Sequence, residues 1–436
     1  MQRTHKEFTN TFIANFKKNS LAWAQQFDTI VWLDSNQYQQ TYTSFDAVLA
    51  VDEFTSIKTD YYNAFEQLKE YQTITKDYLF GYLSYDLKND VEQVSSNNFD
   101  GLGFADLYFF QPKKIIFFKG NTIEFRYLKM VDDEIESDYK MILQTVASTT
   151  FTHQHKNTIN INSRIRKDAY YQKVNSLLTH IHRGDIYEAN FCQEFYAENT
   201  QINPLEAFEH LNSISEPPFA TFLKYEDHYL LSASPERYLK RTGNKVISQP
   251  IKGTAKRSKN LLKDAQIALE LAHDEKERSE NIMIVDLVRN DLSKSAKKGT
   301  VRTEELCKTY TFKQVHQLIS TVVSEVDKHT HSVDIIKDTF PMGSMTGAPK
   351  ISAINIIEKL EETKRGLYSG AVGYFTPKGD FDLNVIIRSI LYNEKKKYVS
   401  YSVGGAITSK STPEKEYEEC LLKSKAMKEV LLNSKK

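Results

Sequence analysis

The feature of this sequence that most constrains its fold is the grouping of strand-like and helix-like segments into blocks. The first part contains β-branched and aromatic runs between turn residues, such as TIVWLD, YLFGYLSYDL, ADLYFFQPKKIIFFKG and TIEFRYL. Helical periodicity comes later, where apolar residues recur every three or four positions from Tyr170 to Ile181, before Gly184. Because single strands and helices do not alternate strictly, the pattern predicts an α+β fold with antiparallel sheet.

The chain is expected to divide into two parts. The segment 151–167, FTHQHKNTININSRIRK, is polar and aperiodic, which is typical of a linker or a crossover. It separates a strand-rich subdomain, 1–160, from a larger domain, 161–436, that carries the motifs described below. In the larger domain, helices are predicted over about 261–292, from Pro349 and from Pro413, and FDLNVIIRSILY is predicted as one strand.

Composition excludes several classes of protein. Lysine plus arginine and aspartate plus glutamate number 57 each, so no global field attracts nucleic acid or an anionic membrane. No apolar run approaches the roughly 20 residues that cross a bilayer, and the N-terminus lacks the apolar core of a signal peptide. Cys192, Cys307 and Cys420 are far apart and form no metal-ligand spacing, which suits a reducing compartment. These features predict a cytoplasmic protein.

Lys252, in SQPIKGTAKR, follows the end of a predicted strand hairpin. It is either a solvated charge or a nucleophile, and a lysine attacks only if its surroundings lower its pKa from about 10.4. Ile251 and the nearby cations Lys256 and Arg257 are compatible with such a shift. Glu236, in SASPERYL, is either an acid/base or a surface charge.

Two predicted helices each carry a pair of glutamates three residues apart, Glu277 with Glu280 and Glu416 with Glu419. This spacing places both carboxylates of a pair on one helix face. Two such faces could hold Mg²⁺, which typically takes one or two protein carboxylates. The same spacing also occurs on ordinary solvated helices, and the sequence leaves both interpretations open.

Four further features could bind an anion or carry a proton. Arg388 shares a predicted strand face with isoleucines, so its guanidinium needs either a bound carboxylate or a structural partner. Gly404-Gly405-Ala406 is either a tight turn or a place where backbone amides approach an anion. The loop FPMGSMTGAPK, which contains Ser344, leads into a helix. His316 is either a general acid/base or a structural histidine.

Taken together, these segments resemble the family of chorismate-utilising enzymes. The motifs that carry the resemblance follow the family's order over residues 230–430: SASPERYL, PIKGTAKR, ERSENIMIVDLVRNDL, FPMGSMTGAPK, GLYSGAVGYF, DLNVIIRSI and GGAITSKSTPEKEYEE. The N-terminal part is matched more loosely, through IVWLDS and FGYLSYDL. The resemblance implies an anthranilate-synthase-like fold, with antiparallel sheets packed as a sandwich and flanked by helices, and chorismate as substrate.

Within the family, PIKGT is similar to the aminodeoxychorismate synthases of the folate and 4-aminobenzoate pathway, whereas anthranilate synthases have alanine in place of this lysine. The resemblance implies that the Lys252 amine attacks C2 of chorismate and displaces the C4 hydroxyl, whose loss Glu236 assists. Ammonia then enters at C4 and expels the lysine. Anthranilate synthase component I is the enzymatic alternative, and a non-catalytic protein that only binds a small molecule or a partner is the other.

The resemblance also implies roles for the remaining motif residues. Glu280 and Glu419 match direct Mg²⁺ ligands, and Glu277 and Glu416 match carboxylates that act through water. His316 matches a histidine near the enolpyruvyl side chain of chorismate. The matches to substrate-binding positions are Arg388, Tyr368, Ser344, Gly404, Gly405 and Ala406.

The sequence departs from the family at Glu188, in GDIYEANFCQEF. Members that use an amine usually have glutamine there, and the isochorismate and salicylate branch has a lysine that activates water. The sequence therefore argues against water as nucleophile and leaves the role of Glu188 open. It also shows no glutaminase segment, so ammonia is expected from a separate glutamine amidotransferase subunit or from solution. Whether IVWLDS binds tryptophan, as in relatives, is left open.

Overall fold

A computed structural model describes residues 2–38, 41–92, 94–145 and 159–433. The helices are α1 (Ile13–Ala24), α2 (Ala64–Thr75), α3 (Lys88–Val91), α4 (Ile135–Gln144), α5 (Lys167–Arg183), α6 (Pro204–Ser215), α7 (Leu261–His273), α8 (Glu275–Ser293), α9 (Ser332–Thr339), α10 (Lys350–Leu360) and α11 (Pro413–Asn433). The strands are β1 (Arg3–Thr9), β2 (Thr29–Asp34), β3 (Ala47–Thr59), β4 (Leu79–Leu83), β5 (Leu107–Lys119), β6 (Thr122–Leu128), β7 (Asn162–Ser163), β8 (Glu188–Ala197), β9 (Phe219–Tyr225), β10 (His228–Ser234), β11 (Arg237–Thr242), β12 (Lys245–Gln249), β13 (Ile251–Lys256), β14 (Arg302–Thr311), β15 (Val315–Glu325), β16 (Gly347–Ala348), β17 (Ala371–Phe375), β18 (Phe381–Val385), β19 (Ser389–Asn393) and β20 (Tyr398–Ile407).

The strands form two wings that share the long strand β5. One wing runs through β3, β2, β9, β10, β19, β20 and β8, and the other runs through β4, β17, β18, β11, β12 and β15 to β13 and β14. Neighbouring strands are antiparallel at each of these joins. The predicted α+β class with antiparallel sheet is confirmed.

The core shows that the two wings pack as a sandwich with helices outside. Along β2, Val31 belongs to an inner cluster built only from strand and loop residues, whereas Ile30 and Trp32 pack on the other face among residues of α1, α5, α6 and α11. This alternation is what a period of two produces in a strand covered on both faces. The other wing buries its outer face under α2, α8 and α9. The predicted sandwich flanked by helices is confirmed.

Local structure differs from the sequence prediction in three places. The helix predicted over 261–292 is two helices, because Asp274 caps α8 through a hydrogen bond from the backbone N–H of Glu277 at 2.9 Å. The strand predicted as FDLNVIIRSILY is interrupted between Val385 and Ser389, where Arg388 has a left-handed φ of 54°. Lys252 lies inside a new strand, β13, and not in a loop after β12.

The predicted boundary near residue 160 stays a prediction. Strands from its two sides pair directly, β2 with β9 and β4 with β17. Most of the predicted linker, residues 151–158, lies outside the described residues. Among the described helices, none is long and apolar enough to cross a membrane. The three cysteines are free and buried.

Candidate active site

Lys252 is held at the start of β13 by a bulge and by α8. The register between β13 and β15 shifts between Ile251 and Thr254, and Gly253 takes a φ of 95° there. The side-chain amide of Asn281 in α8 donates a hydrogen bond to the Lys252 carbonyl at 3.0 Å. The Lys252 side chain is only 14% exposed, so the solvated-charge interpretation does not hold.

The Lys252 ammonium forms an ion pair with Glu188, the first residue of β8, at 3.0 Å between Nζ and Oε1. Burial alone lowers the pKa of Lys252, but Glu188, and then Glu280 and Glu419, outweigh burial and raise it. The expectation that its surroundings lower this pKa is therefore wrong for this state of the site. Lys252 is a protonated amine with a carboxylate beside it.

Glu236, between β10 and β11, is the second buried carboxyl group near this lysine. It is 3% exposed, and the Ser344 hydroxyl donates to its Oε1 at 2.7 Å. Burial raises the pKa of Glu236 to about 7, against the opposing effects of Ser344 and Lys252. The loop that carries Ser344 is fixed by Asn190 of β8, whose side-chain amide donates to the Ser344 carbonyl at 3.0 Å. Glu236 can therefore give or take a proton near neutral pH.

The four glutamates of α8 and α11 lie close enough together for their charges to shift one another's pKa values. Burial, followed by the charge of Glu280, raises the pKa of Glu277. Burial is also the largest cause of the raised pKa of Glu280, and the charges of Glu188 and Glu419 add to it. Burial also raises the pKa of Glu416. For Glu419, Lys423 together with Lys252 and Lys276 outweighs burial, so its pKa is lowered. The structure thus brings the two predicted glutamate pairs together at one place.

The donor set at this place suits a hard divalent cation. Within the described ranges no group of three or more His, Cys, Asp or Glu converges as a complete ligand set. Mg²⁺ needs only one or two carboxylates and fills its other positions with water or substrate oxygen. Glu280 and Glu419 each have a lysine within 4 Å, Lys276 and Lys423, so a positive charge already offsets each predicted direct ligand. The carboxylates present are of the ligand type that Mg²⁺ prefers, and the Mg²⁺ site stays a prediction.

The predicted glycine segment lies inside β20, opposite β8, which excludes the tight-turn interpretation. A Cβ at Gly404 would lie 2.4 Å from the Cys192 Sγ and 2.7 Å from the Phe191 carbonyl oxygen. A Cβ at Gly405 would lie 3.2 Å from Glu416 Oε2 and 3.5 Å from Glu419 Oε1. Glycine at 404 is therefore required for the two strands to meet, and glycine at 405 leaves room for the carboxylates of α11 beside the sheet.

Arg388 presents a guanidinium without a protein partner in the part of the chain that the structure describes. Burial lowers its pKa, and Tyr368 and Glu419 are the groups whose charge acts on it. A partly buried cation of this kind favours an anionic ligand. The structural salt bridge, the other interpretation of Arg388, is not formed with any described residue. Tyr368 is 5% exposed, with its hydroxyl 3.8 Å from the Cys192 Sγ.

The structure does not bring His316 into contact with the other predicted residues. Its hydrogen bonds go to Asp264 of α7 at 3.1 Å and to Thr311 at 3.0 Å. The next residue, Gln317, points to the opposite face of β15. It is buried, its Nε2 donates to Thr254 at 3.4 Å, and its Oε1 has no partner among the described residues. Gln317 is a candidate that sequence reasoning missed.

Lys423 is a second missed residue. Its ammonium donates to the Gly404 carbonyl at 2.8 Å and pairs with Glu419 at 2.6 Å, so it joins α11 to β20 at the site. The available signal was its position four residues after Glu419, which places both side chains on one helix face.

Comparison with known proteins identifies the family. The family model for chorismate binding enzymes matches residues 28–429. The chain is 34% identical over 348 residues to an anthranilate synthase component I-like protein of Synechocystis, covering 80% of this chain and 71% of that protein. It is 37% identical over 257 residues to aminodeoxychorismate synthase component 1 of Salmonella typhimurium, covering 59% of this chain and 56% of that protein.

Solved structures share the fold. Anthranilate synthase component I from Streptococcus pneumoniae superimposes with a TM-score of 0.76 at 24% identity, over 90% of this chain and 94% of that chain. The menaquinone-specific isochorismate synthase from Escherichia coli gives a TM-score of 0.78 at 15% identity, over 98% of this chain and 94% of that chain.

Proposed function

The chain belongs to the family of chorismate binding enzymes, and we propose that it aminates chorismate with ammonia to give 4-amino-4-deoxychorismate. The observation that carries the proposal is Lys252, buried and ion-paired at a site that also holds a carboxyl group with a pKa of about 7. A lysine with only a structural role does not need such an acid nearby. Relatives named aminodeoxychorismate synthase, 36–40% identical over about 59% of the chain, support it.

In the proposed reaction, the Lys252 amine attacks C2 of chorismate. The ring double bond shifts, and the C4–O bond breaks while Glu236 donates a proton, so the hydroxyl leaves as water. Ammonia then attacks C4, the double bond shifts back, and the C2–N bond to Lys252 breaks. Glu236 regains its proton from the new ammonium group at C4. Chorismate and ammonia thus give the amino product and water, and the enzyme returns to its starting state.

The remaining residues bind and orient the substrate. Glu280 and Glu419 would hold Mg²⁺ directly, with Glu277 and Glu416 acting through water, and the ion would neutralise a chorismate carboxylate. Arg388 binds the other carboxylate, because its guanidinium has no described partner. The backbone of Gly404, Gly405 and Ala406, together with Tyr368 and Ser344, encloses the ring.

The nitrogen source is proposed to be a second subunit, a glutamine amidotransferase. Relatives at 36–37% identity are named component 1 of aminodeoxychorismate synthase, which implies another component. The proposed place of the reaction is the cytoplasmic synthesis of 4-aminobenzoate and folate.

Anthranilate synthase component I is the second candidate, since relatives of that name match over 80% of the chain at 30–31% identity. The test incubates the purified protein with chorismate, Mg²⁺ and ammonium and identifies the product by chromatography and mass spectrometry. We expect 4-amino-4-deoxychorismate from the wild type, and at least a hundredfold loss for Lys252→Ala. Anthranilate as the main product would select the second candidate, and no turnover would select a binding protein.

A further inference from the structure

Glu188 is a buried carboxylate with one oxygen that accepts a hydrogen bond and one oxygen without a described partner. It is 1% exposed, and Oε1 accepts the hydrogen bond from Lys252. Oε2 is buried and has no hydrogen-bond partner among the described residues. The backbone around Glu188 is fixed, because β8 pairs with β16 at Ala348 and with β20 along its length. A buried carboxylate is costly unless paired, and Lys252 supplies the opposite charge.

Four carboxyl groups act on Lys252, and they are not equivalent. Glu280 from α8 and Glu419 from α11 act through their charge, and Glu236 from the β10–β11 connection also interacts with Lys252 electrostatically. Among the described residues, only Glu188 is within hydrogen-bond distance of the Lys252 ammonium. Glu236 already accepts a hydrogen bond from Ser344.

We propose that Glu188 is the proton acceptor that converts Lys252 from an ammonium into the attacking amine. This inference rests on the proposed function and deepens it. The Lys252 N–H bond breaks, its proton forms an O–H bond on Glu188, and the freed electron pair forms the bond to C2 of chorismate. When ammonia expels the lysine, the C2–N electron pair returns to the nitrogen and Glu188 gives the proton back. No proton is exchanged with solvent in either half.

Burial lowers the free-energy cost of this transfer relative to the same pair in water, because a buried ion pair has lost the hydration of both charges. The charges of Glu188, Glu280 and Glu419 still favour the ammonium before the substrate binds, so the bond that forms to C2 must drive the transfer. The proton would move along the existing hydrogen bond from Lys252 Nζ to Glu188 Oε1, which is 3.0 Å long. Glutamine at this position would keep an acceptor for the lysine but could not take its proton.

The experiment measures formation of the Lys252–chorismate adduct in a single turnover with Mg²⁺ and without ammonia, by rapid quenching and intact-protein mass, from pH 6 to 8. Wild type, Glu188→Gln and Glu194→Gln are compared. Glu194 is the matched control, a buried carboxylate on the same strand that pairs with Arg164. In the Glu188→Gln variant, Lys252 must lose its proton to solvent. The rate of adduct formation in this variant, divided by the wild-type rate, should therefore rise about tenfold per pH unit. The relative rate of Glu194→Gln should not change with pH.

A Glu188→Gln rate whose ratio to wild type is independent of pH would overturn the proposal and leave Glu188 as a positioning residue. The wild type gives a second test that does not depend on folding of the variant. Its rate should be level below pH 7, and a tenfold rise per unit there would also overturn the proposal. If the wild type makes product when ammonium is supplied but forms no adduct on Lys252 when ammonia is withheld, the covalent mechanism itself fails, and that result is distinct from the other two.

Discussion

At the scale of single residues, two buried carboxyl groups of the site differ in their hydrogen-bond partners. Glu236 has a neutral hydrogen-bond donor, Ser344, and burial raises its pKa to about 7. Glu188 is equally buried but is paired with a cation at 3.0 Å. The same side-chain type is therefore prepared to give a proton at one position and to accept one at the other.

The raised pKa of Glu236 predicts a stability effect. The folded state keeps the Glu236 proton between pH 4.5 and about 7, whereas the unfolded state releases it. The contribution is therefore fully present below pH 4.5 and is lost as the pH rises through 7, an effect on the order of 3 kcal/mol. Denaturant titrations of wild type and Glu236→Gln at pH 5 and 7.5 should show wild type losing stability relative to the variant. An equal difference in unfolding free energy between wild type and Glu236→Gln at both pH values would contradict the raised pKa of Glu236.

Lys252→Ala should lower stability as well as activity. The substitution removes the cation that pairs with the buried Glu188 carboxylate, and breaking a buried pair in this way costs about 3–5 kcal/mol. Glu188→Gln in the same chain should restore most of the loss, because a neutral amide needs no counter-charge. Thermal or denaturant unfolding of the single and double variants measures this coupling. Additive effects of the two substitutions would show that the ion pair does not stabilise the fold.

At the scale of elements, regular helices were predictable and interruptions were not. The apolar period and Gly184 predicted α5, and Pro349 and Pro413 marked the starts of α10 and α11. The break at Asp274 was missed because helical composition continues through it, although Asp is a good N-cap. The break before Ser389 was missed because Arg388 takes a backbone conformation that arginine rarely adopts.

The metal site depends on two helices and is testable by binding. Glu280→Gln and Glu419→Gln should each weaken Mg²⁺ binding at least tenfold in calorimetric titrations, because each removes one predicted direct ligand. Glu418→Gln is the matched control, an exposed carboxylate next to Glu419. Unchanged affinity in Glu280→Gln or Glu419→Gln would remove that residue from the site.

The two glycines of β20 should respond differently to alanine. Gly404→Ala places a methyl group 2.7 Å from a backbone oxygen of β8, so it should destabilise the protein by about 1–3 kcal/mol. Gly405→Ala meets only the glutamate side chains of α11, at 3.2 Å and beyond. It should keep its stability but bind Mg²⁺ less tightly, because the carboxylates must move. Equal loss of stability in both variants, measured by thermal unfolding, would contradict this distinction.

At the scale of the whole molecule, the fold assembles one site from distant segments. Motif resemblance predicted which residues belong together, and the structure brings some of them into contact, as in the hydrogen bond from Ser344 to Glu236. Periodicity could not show that Lys252 pairs with Glu188, since the two are 64 positions apart. Periodicity also could not show that Gln317, and not His316, lies beside Thr254 of β13. The register with the neighbouring strands decides which side chains of a strand point to which face of the sheet.

The whole-molecule prediction concerns the nitrogen source. Glutamine hydrolysis by a cysteine needs an accessible thiolate, and the three thiols of this chain are buried. Burial raises the pKa of Cys192 to about 12 and also raises the pKa values of Cys307 and Cys420. The isolated chain should therefore aminate chorismate with ammonium but not with glutamine.

Adding a glutamine amidotransferase should make glutamine the better donor. At neutral pH most of the free donor is protonated ammonium, so a partner that releases ammonia beside the site raises its effective concentration at C4. The assay compares product formation with ammonium, with glutamine, and with glutamine plus the partner. The ammonium-driven rate should rise with the ammonia fraction as the pH is raised toward 7, below the point where Glu236 loses its proton. Efficient glutamine-driven amination by the isolated chain would exclude the two-subunit arrangement, because it would mean that this chain hydrolyses glutamine itself.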